Sequence, residues 1–280
     1  VILALSMMAF SYITYLAYGE VEKVRRKEIL TMLVLAVLLA PCKVGVYLPV
    51  LLLLLLVPNV KFGGGKQKNR FFLLILLASA VSCVLMNLPA FSLGAQSTRI
   101  LNDQGETLIT SGWALRHPVE VLKMMLTTVK RELFLWIRGA IGNSLSWFTI
   151  HIRDWVVFGF GLCLLFAILK EEGAEPITPT LKQRLLLLVP VILCGMMFLF
   201  GMLVWWTPQG ATVIEGVQGR YFIPMIPLVL FAVPQFSLKL HLKSGEKAFP
   251  QEGFSRQITM ACILLSCASF IIQAAVILAR

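Results

Sequence analysis

Residues Trp205–Pro227 read WWTPQGATVIEGVQGRYFIPMIP. The stretch leaves one apolar run at Trp206, crosses a short polar segment and enters a second apolar run at Tyr221. Pro208 forbids a simple continuation of the preceding helix, and Gly210, Gly216 and Gly219 permit turns that side-chain-bearing residues resist. Its only charges are Glu215 and Arg220. Arg220 stands immediately before a membrane-length apolar segment, where a guanidinium must reach water, a lipid headgroup or an anionic ligand. The plainest role for it, beside interfacial Trp and Tyr, is a headgroup anchor. Two apolar runs joined by a polar turn point to membrane helices.

Composition agrees. The 280 residues are 58% hydrophobic and 14% charged, with mean hydropathy +0.85, against about 25% charged in soluble domains. The apolar runs are long, which implies helices, whereas barrel strands would be short and alternating. The net charge of +11 raises nucleic acid as a partner. Basic residues in a membrane protein are explained first by cytoplasmic loops, and no nucleic-acid-binding signature is present. The six cysteines lie in apolar runs without a CxxC pair, as small packing residues rather than metal or redox ligands. The chain opens Val1-Ile2-Leu3 with no signal-peptide pattern following, and is read as the C-terminal part of a longer protein.

Residues 1–18 form a first apolar span edged by Tyr12, Tyr15 and Tyr18. A loop at 19–28 carries Lys23, Arg25, Arg26 and Lys27, and another at 58–70 carries Lys61, Lys66, Lys68 and Arg70. The apolar stretch between them, 29–57, would make a helix about 43 Å long, well over the roughly 30 Å hydrocarbon core. One crossing would also set two basic loops on opposite faces, against the positive-inside tendency. A hairpin of two short helices turning at Pro41–Gly45 resolves both conflicts. Its tip holds Lys43, at an insertion cost of order 2.5–3.5 kcal/mol if it faced lipid. Lys43 is thus either a snorkelling side chain or a functional one.

Further spans are expected at 71–93, 155–169, 185–206, 221–236 and 258–279, with bends at Pro190 and Pro224. Residues 94–154 are mostly outside the bilayer, with a turn at Asn102-Asp103-Gln104-Gly105. A helix opens at Pro118. Val119, Leu122, Leu126, Val129, Leu133 and Trp136 recur in steps of three and four, an amphipathic stripe suited to a membrane surface. Trp147, Phe148 and Trp155 form an interfacial belt. Lys and Arg number four, four, three and four in loops 19–28, 58–70, 170–184 and 237–257, which are expected to face the cytoplasm. Segments 94–154 and 207–220 then share the outer face. The fold class is an all-α polytopic membrane protein, one transmembrane domain over 1–280. It has about six full spans, a broken hairpin segment and an outer amphipathic interfacial helix.

Trp206-Thr207-Pro208, Ile214, Gly219-Arg220-Tyr221-Phe222-Ile223-Pro224 and Pro227 resemble the signature of a bacterial polytopic membrane family, domain of unknown function 2142 (DUF2142). That family is similar in architecture to the GT-C glycosyltransferases. The resemblance implies a multi-pass protein of the bacterial cytoplasmic membrane. It also implies transfer of sugar from a polyprenyl-phosphate donor at the outer face, to a cell-envelope glycan or lipid.

Such transfer needs a base for the acceptor and cations, or a divalent metal, for the departing phosphate. Arg220, with Tyr221 and Gln218 beside it, and Lys43 are the candidate substrate-binding residues. The outer-face carboxylates are Asp103, Glu106, Glu120, Glu132, Asp154 and Glu215, and none stands out as the base. In GT-C enzymes that carboxylate typically lies in a first outer loop, which the chain is expected to lack. His117, His151 and His241 show no metal-ligand spacing. A transporter or flippase of lipid-linked sugars is the alternative that a broken segment with Lys43 suggests. A non-catalytic membrane partner in envelope synthesis is a third.

Overall fold

The computed structural model describes residues 2–96, 105–141, 144–145, 150–169, 179–236, 238–242, 245–249 and 253–278. Asn102, Asp103 and Gln104 of the expected turn, Trp147 and Phe148 of the belt, and residues 170–178 of one basic loop lie outside them.

The described chain is predominantly helical. The helices are α1 (Ile2–Tyr18), α2 (Arg26–Leu39), α3 (Gly65–Gln96), α4 (Ser111–Arg116), α5 (Pro118–Ile141), α6 (Asp154–Phe166), α7 (Leu181–Trp206), α8 (Ile226–Ala232) and α9 (Phe254–Leu278). Extended pairs are short: β1 (Ser144–Leu145) with β2 (Ile150–His151), and β3 (Leu238–Leu242) with β4 (Gly245–Phe249), both antiparallel. Among the described residues three helical segments are long and apolar enough to cross a membrane: Gly65–Leu88, Leu181–Trp206 and Phe254–Ile272. Ile2–Tyr18, Asp154–Phe166 and Gly219–Ala232 are apolar but shorter. The span expected at 221–236 is a 3₁₀ helix, Gly219–Met225, running into the seven residues of α8. Pro224 lies within that 3₁₀ turn and Pro227 in the first turn of α8, where neither ring breaks a long hydrogen-bond ladder.

The chain divides into two compact units, 1–133 with 185–217, and 134–184 with 218–280. In the first, α1, α2, α3 and a 3₁₀ helix, Leu48–Leu56, pack together. Ile13, Leu16, Met32, Leu39, Leu51 and Ile75 are fully buried there. The stretch 29–57 is broken, as its length demands. After α2 the chain turns through Cys42–Gly45 and returns as the 3₁₀ helix. Val24 N–H donates to the Lys61 carbonyl at 2.7 Å, so both ends of the segment meet.

The basic residues of these loops have internal duties. Lys61 Nζ donates to the carbonyls of Leu16, Ala17 and Gly19 at 2.9, 3.3 and 3.0 Å. A cation there satisfies acceptors that the end of α1 leaves open. Lys68, only 8% exposed, donates to Leu55 and Val57 at 3.0 and 2.6 Å, closing the end of the 3₁₀ helix. Glu28 accepts from Arg25 N–H at 2.9 Å and lies 3.5 Å from Lys27 Nζ. Burial pushes the Glu28 carboxyl upward, but the backbone N–H groups of Glu28 and Arg25 and the Lys27 ammonium outweigh it, holding the group below its ordinary value.

Helix α5 begins at Pro118, as its sequence indicates, but its buried face is not the leucine stripe. Val121, Met124, Met125 and Thr128 are buried, while Val119, Leu122, Leu126 and Leu133 are exposed. Trp136 alone of the expected stripe is buried. A period of 3.6 identifies an apolar stripe without saying whether protein or lipid covers it.

In the second unit α6 packs on α9. A Cβ on Gly159 would lie 2.9 Å from Leu265 Cδ2, so these helices approach closely through a glycine. Phe166 meets Phe254 edge-on at 5.9 Å, and Arg138 pairs with Asp154 at 2.8 Å.

Candidate functional site

Each half of the stretch Trp205–Pro227 is anchored by its own chemistry. In the first unit, residues 207–215 are tied down from three sides. Ile109 N–H donates to Thr207 O at 3.0 Å and Gln209 N–H to Thr107 O at 2.7 Å, around an antiparallel bridge between Leu108 and Pro208. Thr207, wholly buried, donates to Met202 O at 3.1 Å and accepts from Glu215 N–H at 3.2 Å. Thr128 on α5, also wholly buried, accepts from Ile214 N–H at 2.8 Å. These bonds join segments on either side of α7 and so hold 105–110 and 207–215 together. Gly210 and Gly216 take left-handed φ values of 87° and 79°, the turns their residue type permits.

Gly219 works differently. Its φ lies outside the left-handed region, and a Cβ built on it would strike the Trp136 carbonyl oxygen and lie 2.6 Å from Ala140 N. The 3₁₀ helix therefore lies against the backbone of α5 at Gly139, with Trp136 stacked on Phe222 at 5.3 Å. Glycine is required here for close approach rather than for turning. Arg220 follows, exposed, with its guanidinium carbon 5.9 Å from the centre of the Tyr221 ring. Gln218 precedes it, and its amide oxygen is buried without a hydrogen-bond partner among the described residues.

Lys43 belongs to the first unit, whereas Gln218, Arg220 and Tyr221 belong to the second. It sits in an uncommon backbone: Lys43 (φ 48°), Val44 (φ 55°) and Gly45 (φ 81°) are successively left-handed. An L-residue pays roughly 1–2 kcal/mol for that conformation, and a β-branched one such as Val44 is a genuine outlier. Strain of this kind persists where the surroundings over-determine it, and such places cluster at ligand sites. Lys43 Nζ lies 5.4 Å over the Phe198 ring, which Tyr47 meets edge-on at 5.2 Å. Lys43 also lines a cavity of about 750 Å³ with Met196, Met197, Phe198, Met202 and Trp205. It is the one charged residue in that wall. The sequence marks Lys43 as out of place in an apolar run; the cavity beside it has no such signal, because its wall comes from α7, some 150 residues onward.

The remaining carboxylates are scattered. Glu106, Glu120 and Glu215 are exposed, Asp154 is held by Arg138, and Asp103 lies outside the described residues. No group of three or more His, Cys, Asp or Glu side chains suited to a metal occurs among the described residues. All six cysteines are free. His117 stacks on Trp113 at 4.6 Å, which accounts for it structurally.

Long apolar helices and a broken segment whose Lys43 borders an apolar cavity define a helical membrane protein. The chain belongs to the family described as "Predicted membrane protein (DUF2142)", whose model matches residues 1–229. No curated protein and no solved structure matches it.

Proposed function

We propose that the chain serves a GT-C-type membrane glycosyltransferase using a polyprenyl-phosphate-linked sugar at the outer face of the bacterial cytoplasmic membrane, for envelope glycan or glycolipid synthesis. The observation that carries the reading is Lys43 at the edge of the apolar cavity. Methionine and aromatic walls suit a hydrocarbon chain, and one ammonium suits the phosphate at its head. In the second unit, taken by itself, Arg220 is exposed at the start of the 3₁₀ helix and offers a guanidinium able to grip a phosphate through two parallel donors. The buried Gln218 amide oxygen is an acceptor suited to a sugar hydroxyl. The multi-pass arrangement, with loops 19–28 and 58–70 inside and 94–154 and 207–220 outside, is supported by two sets of hydrogen bonds. Val24 joins Lys61 on one side, and 107–109 joins 207–209 on the other. The exposed leucines of α5 fit a helix lying in the outer interface.

The broken segment at Lys43 also favours a second reading, a flippase of lipid-linked sugars, because broken helices line substrate paths. One reconstitution separates the two. The purified protein in liposomes should bind polyprenyl phosphate saturably, and Lys43→Ala should weaken binding by roughly ten- to a hundredfold, the worth of a charge-assisted hydrogen bond. Sugar transfer from the bound donor marks the transferase; donor translocation without transfer marks the flippase. Equal binding by wild type and Lys43→Ala would end both.

A further inference from the structure

The first unit has a second cavity with a mixed lining, about 560 Å³, between α4, the start of α5 and residues 209–212. Trp113 provides an aromatic wall, and Glu120, Lys123, Thr127, Gln209 and Thr212 provide polar side chains around it. We propose that this cleft binds a carbohydrate, with a pyranose C–H face against Trp113 and its hydroxyls paired with Glu120, Lys123, Thr127 and Gln209.

Three features select that class. The first is the mixture of groups. A sugar hydroxyl donates and accepts at once, and this wall offers the Glu120 carboxylate and the Thr127 oxygen as acceptors, the Lys123 ammonium as a donor, and the Gln209 amide and Thr212 hydroxyl, which do both. A bare anion would find Glu120 opposed to it, and an alkyl chain would leave these polar groups without a ligand partner. The second is rigidity. Thr110 Oγ1 accepts from Trp113 N–H at 3.2 Å, His117 covers one face of the indole, and His117 Nδ1 lies 2.9 Å from Trp113 O. Across the cleft, Gln209 is pinned through its backbone to Thr107, and its side-chain nitrogen lies 3.4 Å from Leu108 O. Thr127 spends its own proton on Lys123 O at 2.8 Å, so its oxygen faces a ligand as an acceptor. A cleft already ordered loses little entropy on binding. The third is size, which falls within the range of small-molecule sites.

This inference deepens the transferase reading and rests on it only in making the sugar an acceptor; binding itself stands on the cleft. The test is saturation-transfer NMR on the whole protein in detergent, with neutral disaccharides of glucose, mannose, rhamnose and N-acetylglucosamine as probes. At least one should bind, with its strongest signals from axial C–H protons. Trp113→Ala, Glu120→Gln and Gln209→Ala should each weaken binding roughly tenfold through a lost stacking or hydrogen-bond partner. Glu120 and Gln209 are exposed, so their variants decide the matter if Trp113→Ala misfolds. Lys43→Ala should leave sugar binding intact while weakening capture of polyprenyl phosphate. Failure of every disaccharide to bind, or binding indifferent to Glu120→Gln and Gln209→Ala, overturns the cleft. Failure of the wild-type protein to capture polyprenyl phosphate, with sugar binding retained, would count against the transferase and leave the cleft standing.

Discussion

Replacing Gly219 with alanine adds one carbon at the closest backbone approach among the described glycines of the second unit. The new Cβ would fall on the Trp136 carbonyl oxygen, 2.6 Å from Ala140 N and 2.7 Å from the Gly139 carbonyl carbon. All three are backbone atoms of a helix, so no rotamer change can make room. Gly219 is not in the left-handed region, and without the clash alanine would stabilise the fold by about 0.4–1 kcal/mol through the unfolded chain. Overpacking costs typically about 1–3 kcal/mol and occasionally more. The clash should win, leaving a net loss of roughly 1–2 kcal/mol, and Tm should fall by about 2–4 °C for each kcal/mol. The readout is thermal exposure of Cys163, buried in the same unit, to a thiol-reactive dye in a background lacking the other cysteines. Gly201→Ala in α7 is the control. Nothing lies within 4 Å of its added Cβ, so helix propensity should make it neutral or stabilising, by up to about 1 kcal/mol. Its effect is to be read in the first unit, on Cys194, also buried. A Tm for Gly219→Ala equal to or above wild type would refute the close-approach account of this glycine.

Other outcomes follow from the same geometry. Lys68→Met should lower the stability of the first unit by roughly 1.5–3 kcal/mol, since two carbonyls lose a charged donor; Lys66→Met, at an exposed position, should do little, and equal effects would contradict the assigned role. Because the Glu28 pKa is lowered on folding, its contribution is complete above the ordinary glutamate range and is lost as pH falls through the lower folded value. The acid limb of a stability-against-pH curve should therefore flatten in Glu28→Gln, and an unchanged limb would show that other carboxylates set it. Arg220→Ala should weaken use of a polyprenyl-phosphate donor about ten- to a hundredfold and Arg220→Lys should recover only part; full activity in both would return Arg220 to a headgroup anchor. Val60→Cys should resist an impermeant thiol reagent in intact cells while Thr212→Cys reacts, and the reverse pattern would invert the topology.

Much of the fold was legible because its signals are local. Apolar run lengths located α1, α3, α6, α7 and α9, Pro118 marked the start of α5, and the excess length of 29–57 together with Pro41 marked the break. What escaped depends on partners distant in the chain. Lys61 and Lys68 read as topogenic charges, and nothing near them signals that Lys61 will cap a helix more than forty residues earlier. Gly219 reads as a flexible turn because residue type cannot distinguish a glycine needed for φ from one needed for contact. The stripe on α5 was visible, but its environment was not, since lipid and protein core reward the same residues. Of the candidate site residues, Lys43 and Arg220 were visible as charges bordering apolar runs. The cleft at Trp113 was hidden, because its walls are separated by about ninety residues and carry no motif.

The clasp around Lys61 has a consequence for biosynthesis. Its acceptors at Leu16, Ala17 and Gly19, and the Val24 amide that returns to it, are all made earlier in the chain. Lys68 likewise reaches back to Leu55 and Val57. Each lock draws only on residues up to Lys68 and can therefore close before α7 (Leu181–Trp206) is synthesised. The broken segment 29–57 can thereby be fastened to α1 early, so that helices made later meet a segment already turned.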